Sequence, residues 1–493
     1  MARITLSLVL LGCTLLQYSW AEFGSIGTVQ SSHTIKNVAD SATALYEILD
    51  TKNGYVIVTL YSLLTEVLPK MESLGTNFRA KGKALTESIS TSVPDSSGNV
   101  DAVFNPILTG ATDLIALIDG EQATTRTELT TLLGTDVDHL FGDVFGNMRL
   151  AAARLKNAFT ALRDGIKTAP ILSGRSRVSN TAVSNALISV YLLLSTIDAV
   201  KFTIHSTIKH IEMADVFLKS MEDMNADMLA SMATYIQDFH DALIEIGEAA
   251  ADAKDVDETD WSDIVAGIGP VTTNLASLSA YSTFDGALSS LSSSYNSLLG
   301  IDSQVLSVFT TYFGIAGDYI DQFSDILVPR DYLAITYLLE VVVAGGANGE
   351  FCFYKFSPRL INYYLRLTTD VENCYAKEIE KITYLYDVAI SMLDLIMFDL
   401  EDLLEYLGTC NSSSTPGACI NAIGPLYVAL FAETDFKVGF FVDLATAEAS
   451  ASISRLGACM YSYKIANMQR LISAKTDIEE CRKDGPDAPD LGE

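Results

Sequence analysis

Proline is scarce in this chain of 493 residues, at 11, and histidine scarcer, at 5. Tryptophan occurs twice. Basic residues are outnumbered, with 32 Lys+Arg against 62 Asp+Glu. Each shortage excludes something. A formal charge of −30 repels phosphate backbones, so nucleic acid is excluded as a partner and anionic membrane surfaces are disfavoured. Five histidines leave little from which to build a metal-dependent hydrolase. No run of alternating apolar residues is long enough for a sheet. Nucleophile and phosphate motifs are also missing. There is no G-x-S-x-G, Gly82-Lys83 is followed by Ala84, and Gly345, Gly346 and Gly349 lack the G-x-G-x-x-G order. The expectation is a protein that is not an enzyme, with no catalytic residue, no metal and no cofactor. What is present is a 49% hydrophobic and only 19% charged composition, enough apolar surface for a folded chain of two to four domains.

The N-terminus reads as an export address. Arg3 is a short positive region and Ile4 to Leu16 an apolar one. Ser19 and Ala21 are small residues before a cut at Glu22. This predicts a signal peptide over 1–21, whose apolar run is shorter than the ~20 residues a membrane span needs. Its loss removes Arg3 and Cys13. No later segment reads as a convincing span: Tyr332 to Ala344 is short and carries Glu340, and Leu187 to Val200 contains Asp198. Residues 484–493 read as an acidic tail. The localisation expected is secreted and extracellular, with no stable membrane anchor.

The rest reads as helix. Between Arg175 and Gly247 the apolar positions Val183, Leu187, Val190, Leu194, Ile197, Ile204, Ile208, Ile211, Leu218 and Met221 step by three and four. Lys201, Asp215 and Asn225 interrupt them. A second row runs from Tyr281 through Phe284, Leu288, Leu291, Tyr295 and Leu298 to Val305, Phe309, Tyr312, Ala316, Tyr319, Phe323 and Ile326. Its period is 3.5, the spacing of a bundle or coiled-coil seam. As one helix it would be roughly 70 Å long, with Gly286, Gly300, Gly314 and Gly317 as places to break. Helix is also expected from about Ile35 to Leu85 and from Thr109 to Lys167. Linkers are expected at Ser88–Pro106, Thr168–Ser179, Asp252–Pro270 and Gly345–Glu350. The fold class is therefore all-α: an elongated bundle of long antiparallel helices over 22–345, then a cysteine domain over 346–483.

The six remaining cysteines are Cys352, Cys374, Cys410, Cys419, Cys459 and Cys481. An even number in an exported chain implies disulfides. The steps Cys352–Cys374 and Cys459–Cys481 are both 22 residues, while Cys374–Cys410 is 36 and Cys419–Cys459 is 40. At about 100° per residue these steps return to within about 40° of one face. Two antiparallel helices joined by the turn-rich Asn411–Ala418 would bring both stripes together. The pattern predicts a nested ladder: Cys410–Cys419 at the tip, Cys374–Cys459 in the middle, Cys352–Cys481 at the base. The 36-against-40 mismatch is one helical turn, roughly 6 Å, to be absorbed at the tip or at Gly439. The rival is Cys352–Cys374, reachable only if Pro358 breaks the helix, since a straight one separates them by about 33 Å.

The segment CFYKFSPRLINYYLRLTTDVENCY, Cys352 to Tyr375, resembles the start of the C-terminal domain of the insect tsetse EP-like secreted proteins. The close pair Cys410 and Cys419 matches that pattern, and Cys459 and Cys481 would be its later cysteines. The resemblance covers about 130 of 493 residues. It does not reach region 22–345, and the Glu-Pro repeat tail is missing. It implies an extracellular, gut-luminal or immune-associated protein and carries over no catalytic residue.

Other candidates are weaker. Asn411-Ser412-Ser413 is an N-x-[ST] acceptor, expected in the exposed tip loop. Asp255, Asp257, Glu258, Asp260 and Asp263 surround Trp261, but a calcium loop counted from Asp255 puts Asp260 at the sixth place and Ala266 at the twelfth, so an acidic linker is expected. His205 and His210 are five apart, the wrong interval for a two-histidine helix site. Met213, Met221, Met224, Met228 and Met232 form a stripe expected in a core. The function expected is a non-enzymatic extracellular binding or structural protein. Its partner would be an extracellular protein, a glycan or an apolar ligand, with self-association through the long helices. The rivals are a membrane-active helical protein with Tyr332–Gly346 as its inserting tongue, and a carrier of hydrophobic ligands.

Overall fold

A computed structural model describes residues 22–49, 54–172, 175–326 and 328–488. The expected signal peptide lies outside them, as does the end of the acidic tail. Among the described residues the chain is all-α. Its helices are α1 Ser32–Glu47, α2 Ser62–Ser92, α3 Val100–Leu117, α4 Ala123–Leu133, α5 Thr135–Thr168, α6 Asn180–Val271, α7 Ser279–Leu299, α8 Ile301–Ile326, α9 Leu333–Ala344, α10 Gly349–Ser412 and α11 Pro416–Asp484. A π turn, Ile118–Gln122, joins α3 to α4. The exception to helix is a two-residue antiparallel pairing of Ile171–Leu172 with Arg175–Ser176.

The chain forms two compact units, which cut across the division drawn from sequence. The first comprises residues to Met221, Tyr332–Arg359 and Ser473–Glu493; the second comprises Glu222–Asp331 and Leu360–Ile472. In the first, α2 packs on α1 and α3, and α5 on α3 and α4. Phe23, Phe104 and Phe159 meet at its centre, and Phe78 stacks edge-on against Tyr46 and Phe145. Close packing there depends on a glycine. A Cβ on Gly82 would stand 2.1 Å from the buried Tyr46 ring, so α2 and α1 approach only without one. The apolar α9 is a core helix of this unit, with Ile335, Leu338, Leu339 and Val342 fully buried. Gly345, in the left-handed region at φ 63°, ends it.

The second unit is built on the 3.5-residue row. Phe284, Leu291, Tyr295, Leu298, Val305, Phe309, Tyr312, Ala316 and Phe323 are all buried. The row is carried by two helices, not one, because the chain breaks at Gly300 and bends by 40°. Phe239 of α6 packs against Phe309, Tyr312 and Tyr375, and the Tyr312 and Tyr375 hydroxyls lie 2.7 Å apart. Trp261 stacks on Tyr295 with ring centres 4.2 Å apart.

Three expectations are corrected. Ile35 to Leu85 is not one helix. It is interrupted between α1 and α2, where residues 54–57 are irregular and Asp215 claims the backbone of Val58 and Thr59. Asp252–Pro270 is not a linker but part of α6. Acidic and alanine residues are compatible with a helix, and Pro270 comes only one residue before its end. Asn411 is not in the tip loop but in the last turn of α10, because the turn is confined to Ser413–Thr415 and Pro416 opens α11.

Candidate ligand groove and the cystine ladder

The cysteines are paired in the nested order. Cys352–Cys481 has Cα atoms 5.9 Å apart, Cys374–Cys459 6.0 Å and Cys410–Cys419 5.3 Å. The base bridge lies in the first unit and the other two in the second. The rival Cys352–Cys374 does not form, because α10 runs through Pro358 without a break. The extra turn of α11 is carried within a continuous helix, Gly439 included. Such bridges form in an oxidising environment. Beside the ladder, Arg455 of α11 clamps the Glu378 carboxylate of α10 through Nε and Nη2, at 3.0 and 2.8 Å. Burial alone would raise Glu378, yet Arg455 and Lys381 hold it below the usual carboxylate range.

Asn411 packs on the end of α6. Its Oδ1 accepts the Asn274 backbone N–H at 2.9 Å, and its Nδ2 lies 3.5 Å from Thr273 Oγ1. His210 is buried, and burial pushes its imidazole below the usual value. Met221, Met228 and Met232 are core residues. Among the described residues no group of three His, Cys, Asp or Glu side chains is placed to hold a metal. The side chains of Asp255, Asp257 and Glu258 lie outside that description.

The break in the α6 apolar row at Asp215 has a tertiary cause that sequence alone did not disclose. Asp215 is fully buried. Its Oδ2 accepts the Val58 N–H and the Tyr55 hydroxyl, both at 2.8 Å, and its Oδ1 accepts the Thr59 N–H at 3.0 Å and the Thr59 hydroxyl. One carboxylate thus holds the segment before α2. Burial works against its charge, but four donors keep it below the ordinary 3.8.

The first unit also carries a groove between α5 and α6. One section, of about 360 Å³, runs beside Val144, Leu150 and Leu192; the next, of about 440 Å³, runs beside Ala158, Ala161 and Ile188. Arg154 and Leu192 line both. The small residues Ala151, Ala158, Ser189 and Ser195 leave the space between the helices open. From Asp143 to Ala161 the groove follows roughly 27 Å of helix. Its neighbours on α5, Arg149 and Arg163, pair with Asp119 and Asp164. Among the described residues Arg154 makes no such pair. Asp143 and Asn147 also line the first section, and Asn157 and Asn185 the second. A guanidinium without an ion pair in so acidic a chain, beside the apolar Leu150, Leu192 and Ile188, suits an anion with a hydrocarbon tail.

By length and composition, three helical stretches are apolar enough to cross a bilayer: Val100–Leu133, Asn180–Ala249 and Pro416–Asp487. The expectation from sequence is that no later segment reads as a convincing span; by this measure three qualify. An 18-residue window can hold one or two charges and still be apolar on average. The proposed tongue, by contrast, is the 12-residue core helix α9, too short for a span. No protein-family model, curated protein or solved structure matches the chain.

Proposed function

We propose that this is an exported, non-enzymatic extracellular protein that binds an apolar ligand with an anionic head group in the α5–α6 groove. The observation that carries the reading is Arg154, which has no ion pair among the described residues and stands at the junction of two mainly apolar groove sections. The three bridges and the N-terminal pattern support export. Membership of the tsetse EP-like family is proposed on the Cys352–Tyr375 segment and the close pair Cys410 and Cys419. Asn411 is proposed as the glycan acceptor: its Oδ1 would keep the Asn274 contact while Nδ2 takes the sugar. The check is a mass decrease on N-glycosidase treatment, absent in Asn411→Gln.

The test of binding is a calorimetric titration of the oxidised protein with sodium laurate. The expected result is saturable binding that Arg154→Gln weakens by about ten- to hundredfold, the loss of a charge-assisted contact. Equal binding by both proteins, or none by either, contradicts the proposal.

One observation favours a second reading, a membrane-active protein. The apolar window of Pro416–Asp487 is only 22% buried. Flotation on phosphatidylcholine vesicles with dye leakage would establish that reading; protein remaining at the bottom of the gradient would remove it.

A further inference from the structure

Helix α11 is apolar on two faces. One face, with Ile420, Tyr427, Phe431, Val438, Phe441 and Ala445, is buried in the second unit. An adjoining face, about 100° round the helix, is not. Leu426 is 70% exposed, Leu430 37%, Phe440 65% and Leu444 46%. Glu433 and Lys437 lie on the same stripe and are exposed. An apolar stripe of this kind is a surface waiting for a partner.

The order along the stripe identifies that partner. Leu426, Leu430, Glu433, Lys437, Phe440 and Leu444 are spaced 4, 3, 4, 3 and 4. This is a coiled-coil seam, and it reads the same in both directions about Asp435. Turned by a two-fold axis at Asp435, the stripe sets Leu426 against Leu444 of a second copy and Leu430 against its Phe440. Glu433 then faces Lys437 of that copy, and the reciprocal pair follows by symmetry. The two polar positions carry opposite charges and flank the axis, so the antiparallel register is attractive. A parallel pairing would set Glu433 against Glu433. Within the chain, neither Glu433 nor Lys437 makes an ion pair within 4.0 Å among the described residues, although Lys437 lies near enough to Asp399 of α10 to favour its charged form. Lipid fits less well, because it would take both charges into the centre of the contact.

We propose that the exposed face of α11 is an isologous interface, on which two copies of this chain pack antiparallel about Asp435. This interface is independent of the groove. Phe436, 72% exposed, flanks the seam and extends the contact.

The test is sedimentation equilibrium of the full oxidised chain in the micromolar range, with far-ultraviolet circular dichroism on each variant. The wild-type chain is expected to dimerise. Glu433→Lys or Lys437→Glu alone makes two like-charged contacts across the axis and should weaken dimerisation by about tenfold or more. The double variant Glu433→Lys/Lys437→Glu restores opposite charges and should recover the wild-type constant to within about threefold. Leu430→Glu should abolish the dimer while leaving the helix content unchanged. A wild-type chain that stays monomeric overturns the proposal. So does a double variant no better than the singles, or monomers whose flotation on phosphatidylcholine vesicles is lost in Leu430→Glu.

Discussion

Asp215→Ala is expected to lower the stability of the first unit by about 3 kcal/mol, read as a shift in denaturant midpoint at unchanged slope. The substitution removes four hydrogen bonds at once. It leaves the Val58 and Thr59 N–H groups without their acceptor beside a buried helix, and unmade bonds of this kind carry most of the cost. Asp215→Asn keeps one acceptor oxygen and should lose about half as much. The sign with pH follows from the depressed carboxylate. Its stabilisation is present above the ordinary value of 3.8 and is lost as pH falls through the lower folded value. Wild-type stability should therefore decline below about pH 4, and Asp215→Asn should show a shallower decline. A loss under about 1 kcal/mol for Asp215→Ala would show that the segment before α2 is held by its buried Ile57 and Thr59 instead.

Removing the middle bridge should cost more than removing the tip. Cys374 and Cys459 are 85 residues apart, whereas Cys410 and Cys419 are 9 apart. Chain entropy grows with loop length, so Cys374→Ala/Cys459→Ala is expected to lose about 3–4 kcal/mol, with the base bridge still limiting the unfolded chain. Cys410→Ala/Cys419→Ala opens a much shorter loop and should lose about 2–3 kcal/mol. The Glu378–Arg455 clamp sits beside the middle bridge and keeps α10 and α11 in register when it is gone. The variant should therefore unfold earlier without losing helix in its native state. Reduction of the wild-type protein should move the midpoint further than either pair. A tip variant less stable than the middle variant would contradict the ladder as the source of stability.

Much of the architecture was written in local spacing. Two steps of 22 residues between cysteines already placed the bridges on facing stripes, and α10 and α11 are the helices that carry them. The 3.5-residue row gave the buried face of α7 and α8, with Gly300 as the point of failure. What was not legible depended on partners distant in sequence. Tyr55 to Tyr61 is apolar enough to join a helix, and Asp215, far along the chain, holds it non-helical. The acidic run at Asp252 to Asp263 resembles a solvated linker by charge, yet helix tolerates it. Arg154 carried a faint signal: it shares a helical face with Leu150 and Ala158, four residues to either side. That it has no carboxylate partner among the described residues is a fact of the folded chain alone. The stripe from Leu426 to Leu444 could have been read from spacing, but that it is not spent on the core could not.

The measurement closest to the central claim is photoaffinity labelling of the oxidised protein with a diazirine-bearing fatty acid, followed by peptide mapping. The groove predicts saturable labels within Asp143–Ala161 and Asn185–Ala199, competed by laurate and reduced in Arg154→Gln. Labels confined to the α11 face from Leu426 to Leu444, or labelling that no free fatty acid competes, would contradict it.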